Sequence, residues 1–284
     1  MGDPQVLVIT PALTKVGQAG NVRARRNCQD HADGRHRQRM TQGVDTVVGH
    51  DRETMNATVL DRELYDETLA AQVLRVPPST LHWWLEGGER RGRRYDPVIR
   101  AASTGSKTVT WGEFVEARYL REYRRTHLVP LLRLRAFIST LRQELGVPYP
   151  LATARPWVGP GRRLFLEAQR VSELEPDLWA CVEPASGATP LLLPGAQAFY
   201  ERVEFPEDAD GVALRVWPLG RKSPLVIDPH VRFGQPTVLG IPTAALSGQV
   251  RAGDSIEAVA DDFNLSLDDV VVALSYENTE DVAA

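Results

Sequence analysis

The sequence is short of the features that mark secreted, membrane and many enzymatic proteins. Among 284 residues there are two cysteines, Cys28 and Cys181, too few for a disulfide framework. No apolar run reaches the roughly 18 residues a membrane-spanning helix needs. The apolar stretch Val6-Leu7-Val8-Ile9 is too short for the core of a secretory signal and has no basic flank, so a cytoplasmic protein is expected. There is no glycine-rich phosphate loop, no nucleophile elbow and no close set of metal ligands. Cys28 with His31 and His36 is weak spacing for zinc without a second thiol nearby. No catalytic residue, cofactor or metal is therefore expected.

What is present is an ordinary soluble composition, 43% apolar and 25% charged, on a chain long enough for one large or two to three modest domains. The net charge of −4 argues against nucleic acid only until it is divided along the chain. Residues 87–142 carry thirteen basic against five acidic residues, a block of +8, and residues 240–284 carry one against nine, a block of −8. Two blocks of opposite sign point to different tasks at the two ends.

Residues 1–54 read as a poorly ordered extension, because 21–40 is nearly devoid of apolar residues and cannot offset its ordering entropy. In 61–100 the pattern predicts two short helices. Asp66 caps the first, Val76-Pro77-Pro78 breaks the chain, and Pro78-Ser79-Thr80 opens the second, whose Leu81, Trp84 and Leu85 share one buried stripe. Gly87-Gly88 ends it. Over 110–146 a Thr110/Glu113 capping box and Pro130 predict two more helices, the second stopped by Gly146. Short strand candidates follow at 163–166, 178–182, 198–203, 212–217 and 225–227, predicting a small antiparallel sheet. Residues 228–276 return to helix, with Gly253-Asp254-Ser255 preceding one helix and Ser266 placed as the cap of the next.

The fold class expected is α+β. It comprises a winged helix-turn-helix within 55–150, a β-rich middle over 151–222 and a C-terminal three-helix or helix-turn-helix domain over 223–284. In the N-terminal helix pair, Ser79, Thr80, His82, Trp83 and Glu86 face outward. Ser79 and Thr80 lie at a helix N-terminus, where hydroxyls and backbone N–H groups suit phosphate. Arg90, Arg91, Arg93 and Arg94 form a basic wing beside them, and together they make a candidate DNA-binding surface. Trp83 fits either a core position or a base contact, and Glu86 reads as a solvated helix end. The C-terminal pair differs. Its second helix opens with Leu267-Asp268-Asp269, which suits the helix dipole and repels phosphate, so protein is the expected partner there or the helix is buried in its own domain.

The stretch from Ser223 to Thr243, with its Ile227-Asp228-Pro229 opening and its Gly234/Pro236 and Gly240-Ile241-Pro242 turns, joined to Gly253-Asp254-Ser255-Ile256 and Leu267-Asp268-Asp269-Val270, resembles a widespread small prokaryotic domain associated with type II antitoxins. Residues 61–145 resemble MerR-type DNA-binding domains. The combination resembles the long VapB-type antitoxins of mycobacteria. That resemblance implies a protein that neutralises a PIN-domain ribonuclease toxin and represses the shared operon. It carries over no catalytic residue and makes Asp228, Gly234, Gly240 and Pro242 structural turn positions. Asp228-Pro229-His230 is then a turn rather than an acid/base pair. A homodimer would place two N-terminal helices in successive major grooves, about 34 Å apart. The rivals are a MerR-like regulator with a deep apolar ligand pocket in its middle region, and an assembly protein with no DNA role.

Overall fold

The computed structural model describes residues 59–127, 130–174, 176, 179–206 and 211–278. The extension read at 1–54, with Cys28, His31 and His36, lies outside them. The chain is a mixture of helices and small antiparallel sheets.

Strand β1 (Glu63–Asp66) leads into α1 (Glu67–Leu74), where the Asp66 carboxylate accepts the Leu69 amide at 2.8 Å, the N-terminal cap expected. Ala70, Ala71, Val73 and Leu74 are the buried face. Arg75 in left-handed backbone ends the helix, and after Val76-Pro77 the chain enters α2 (Pro78–Glu86), which buries Leu81, Trp84 and Leu85 as the stripe predicted. A hairpin follows, β2 (Gly88–Arg90) and β3 (Arg93–Tyr95), closed by Arg91-Gly92 alone. Both turn residues have positive φ, 55° and 72°, the backbone that matches a two-residue turn to the twist of its strands. Strand β4 (Thr108–Thr110) pairs with β1 and opens α3 (Trp111–His127) through the expected capping box. The Thr110 amide donates to Glu113 at 2.9 Å, and the Glu113 amide to the Thr110 hydroxyl at 3.3 Å. Helix α4 (Leu131–Leu145) stops at left-handed Gly146.

The middle region departs from the strand reading. Residues 163–166 belong to helix α5 (Arg162–Val171), and 198–202 to helix α6 (Pro194–Arg202). Windows of four to six residues, such as 163–166 and 198–203, cannot separate a period of 2 from one of 3.6. Over the longer window, Phe165, Leu166, Ala168 and Gln169 are buried while Arg163, Glu167 and Arg170 face water, a helical alternation. Pro194 starts α6 and Ala196 and Phe199 seat it, three residues apart. Strands do occur at β5 (Cys181–Val182), paired with β6 (Leu191–Leu192), and at β7 (Val203–Glu204), β8 (Arg215–Val216) and β9 (Leu225–Ile227). With β10 (Pro236–Val238) and β11 (Ile241–Pro242) they give an antiparallel sheet of order β11-β10-β9-β8-β7, drawn from both sides of residue 222. Helices α7 (Thr243–Ala252), α8 (Ile256–Phe263) and α9 (Leu267–Asn278) complete the chain. Ser255 caps α8, and Ser266 exchanges hydrogen bonds with Asp269 at the start of α9.

Two hydrophobic cores result. The larger gathers α1–α6 around the rings of Trp111, Phe114, Tyr119, Trp157, Phe165 and Phe199. The smaller is made of Leu225, Val238, Leu246, Val259, Ala260, Val270, Ala273 and Tyr276, all from the C-terminal segment. Three ties link it to the N-terminal elements: the Tyr65 hydroxyl donates to the Gly234 carbonyl at 2.6 Å, the Tyr276 hydroxyl to the Val73 carbonyl at 3.5 Å, and the Arg75 guanidinium lies 4.2 Å over the Tyr276 ring. Among the described residues no helix is long and apolar enough to cross a membrane.

Candidate nucleic-acid interface

The start of α2 is chemically open. Pro77 precedes it without a side-chain cap, and its first turn carries no acid, unlike α1 with Asp66 and Glu67 or α9 with Asp268 and Asp269. Ser79 is exposed and Thr80 half-buried in that turn. One turn on, His82 Nδ1 sits 3.0 and 3.1 Å from the two oxygens of Glu67, with the Lys107 ammonium 3.5 Å away. Trp83 is half-buried: its ring lies 5.8 Å from that of Tyr95, and a Cβ on Gly88 would stand 3.1 Å from it. It therefore seats the hairpin on α2.

All four wing arginines are exposed on the hairpin. Arg90 stands across from Arg93, on the face shared with Gly88 and Tyr95, and the Arg93 guanidinium lies 5.5 Å over the Tyr95 ring. Arg94 stands across from Glu89 on the other face. Gly87 makes the tight join between α2 and the hairpin. At φ 67° a Cβ would be 2.2 Å from the Tyr95 carbonyl oxygen, so only glycine fits.

Glu86 is not the solvated end expected. It is 8% exposed, ion-paired with Arg100, and accepts hydrogen bonds from Ser103, Thr104 and the amides of Thr104 and Gly105, each amide at 2.9 Å. Arg100 also donates through Nε to Glu113 at 2.7 Å, tying the end of α2 to the start of α3. Burial alone would push the Glu86 carboxyl up. The hydrogen bonds from Ser103, Gly105, Thr104 and Arg100 outweigh it and hold the group down at about 2. The sequence carries one signal of this: a carboxylate in the last turn of a helix opposes the dipole and calls for a cation. The +8 block is not one surface, because Arg100 in this network and Arg118 outside it are buried.

The turn positions of the C-terminal segment have defined geometry. Asp228 accepts the His230 amide at 2.8 Å, a turn closed by its own side chain, and Arg215 Nε at 2.6 Å. Gly234 at φ 71° lies against Tyr65, where a Cβ would come within 2.3 Å of the hydroxyl; Gly240 is at φ 83°, and Pro242 precedes α7. Phe233 and Leu239 beside them are 74% and 66% exposed in left-handed backbone.

Comparison with known proteins places this architecture. Residues 225–276, the stretch that builds the smaller core, match the family described as "Protein of unknown function (DUF433)". Over 232 residues the chain is 33% identical to a Mycobacterium tuberculosis protein named "Uncharacterized protein Rv2308", covering 79% of this chain and 94% of that one. It is 30% identical over 227 residues to the "Putative antitoxin VapB45" of the same organism, covering 75% and 93%. The chain belongs to the family of Rv2308 and VapB45. Among solved structures, the crystal structure of Rv2018 from M. tuberculosis is similar at a TM-score of 0.59 and 27% identity, over 76% of this chain and 99% of that one. In this VapB45-related chain the helix pair, the hairpin and the smaller core all lie inside the described residues. No group of three or more potential metal ligands occurs among the described residues.

Proposed function

We propose that the protein is an antitoxin that binds its own operator through α2 and the β2–β3 wing, and that it neutralises a PIN-domain ribonuclease toxin. The observation that carries the DNA half is the wing itself. Four exposed arginines sit on a hairpin seated against a helix whose first turn has no acid and no side-chain cap. Ser79 and Thr80 with that helix terminus take phosphate, and α2 is the element for the major groove. His82, Arg90, Arg91, Arg93 and Arg94 complete the surface. Trp83 acts through the hairpin it supports. The antitoxin half is supported by membership in the family of VapB45. The acid-rich C-terminal helices are unsuited to phosphate and fit a protein partner. A homodimer, working in the cytoplasm, presents two such wings to a pseudo-palindromic operator.

The test is a gel-shift titration across salt with the fourfold variant Arg90→Ala, Arg91→Ala, Arg93→Ala and Arg94→Ala. Affinity should collapse, and the slope of log affinity against log salt should become shallower by about 0.9 for each phosphate that is no longer neutralised. Co-expression with the product of the adjacent gene, scored by pull-down and growth rescue, tests neutralisation, which the variant should retain. Unchanged operator affinity would sink the wing assignment, and failure to rescue by the unmutated chain would sink the antitoxin role.

A further inference from the structure

The middle region holds an open cleft of about 550 Å³. Its walls come from the end of α6, the start of β7 and the turn after β8, and they are mostly apolar: Tyr200, Val203 and Phe205. The rings are ordered. Trp157, Tyr200 and Phe205 stack in sequence, with centroids 6.3 and 5.7 Å apart and planes within 20° and 13°. Phe205 is half-buried at the outer end of that stack.

The rim is cationic and partly fixed. Arg221 donates to the carbonyls of Glu201 and Val203 at 2.8 and 2.7 Å, and its guanidinium lies 4.8 Å over Trp217, so its position is set by the protein. Lys222 beside it is exposed and pairs with no carboxylate among the described residues. The Glu201 carboxylate at the rim is hydrogen-bonded to the Gln197 amide at 2.7 Å.

An aromatic shelf with a cation at one end recognises a flat ring carrying a negative charge. The ring gains stacking and burial, and the anion gains a preset guanidinium and a mobile ammonium. We propose that this cleft binds a small planar aromatic molecule bearing an anionic group. A volume of about 550 Å³ is within the range of small-ligand sites and accepts a bicyclic ring. The proposal does not depend on the antitoxin reading.

Isothermal titration of the full chain tests it with three probes: indole-3-acetate, tryptamine (the same ring with the opposite charge) and AMP. Indole-3-acetate should saturate one site per chain, with tryptamine weaker by at least about tenfold. Lys222→Glu, on the surface, should weaken indole-3-acetate by about tenfold or more without altering the melting temperature, and Phe205→Ala should weaken every aromatic probe. Tighter binding of AMP would assign the site to nucleotides, and tighter binding of indole-3-acetate to aromatic acids. The proposal is overturned if neither anion saturates the site, if tryptamine binds as well as indole-3-acetate, or if Lys222→Glu leaves the affinity unchanged.

Discussion

Two buried carboxylates carry opposite pH signatures. Glu86 is held at about 2, below its ordinary 4.5. Its contribution to stability is whole above pH 4.5 and is lost as pH falls through 4.5 towards 2. Glu86→Gln keeps the shape and removes the charge opposite Arg100. It should cost about 2 kcal/mol at neutral pH in urea denaturation, because it removes one of the two carboxylates that pair with the buried Arg100 guanidinium and leaves Glu113 alone to balance it. Glu116 on α3 is fully buried, and burial pushes its carboxyl up to about 8 against the pull of Arg142 and the hydrogen bond from the Leu151 amide. Here the sign reverses: the neutral acid is the form that fits, so stability declines as pH rises from 4.5 through about 8. Glu116→Gln should be more stable than the parent at about pH 9 and no more stable at about pH 4, and paired thermal melts check it. The residues that are legible in the sequence, Asp66, Thr110, Glu113, Gly146 and Ser266, bind backbone within three or four positions of themselves. Glu86 finds its partners 14 to 19 residues away, and Tyr65 finds Gly234 169 residues away, distances that no local pattern encodes.

Among the elements, the β2–β3 hairpin is held by a few close contacts. Its two-residue turn leaves no slack, and its base is fixed by Gly87 under the Tyr95 carbonyl and by Trp83 under Gly88. Gly87→Ala places a methyl where the Tyr95 carbonyl already stands. It should therefore reduce operator affinity even though all four arginines remain, and should lower stability by about 2 kcal/mol or more. A chevron or urea midpoint together with a gel shift separates the two effects. The helices of the N-terminal half are readable because long amphipathic periods and caps agree there. Helices α5 and α6 read as strands because a short apolar window covers barely more than one helical turn. Strands β10 and β11 are two or three residues long and contain Pro236 and Pro242, a composition that signals a turn more than a ladder.

For the whole molecule, the opposed charge blocks map onto two cores. The sheet joins them within β9, whose Ile227 packs in the larger core and whose Leu225 packs in the smaller, and Tyr65 bonds across to Gly234. Tyr65→Phe leaves the Gly234 carbonyl without its buried donor and should cost about 1–2 kcal/mol. If the C-terminal core then melts ahead of the rest, hydrogen exchange over 225–276 should accelerate while the amides of α3 stay protected. The charge asymmetry is visible in the sequence because counting needs no structure. Counting does not tell that Arg100 and Arg118 within the basic block are interior residues. Among the described residues of that block, the wing arginines and Lys107 are the exposed cations.

Arg75 serves two structures at once. Its left-handed backbone ends α1, a place where glycine or asparagine would sit with less strain, while its guanidinium covers the Tyr276 ring at 4.2 Å. Glycine at 75 would ease the turn and release the last helix, and lysine would keep the charge but lose the flat face that lies on the ring. Neither position can be improved by itself, so 75 and 276 make a single unit of variation. Relatives that change one should be found to change the other.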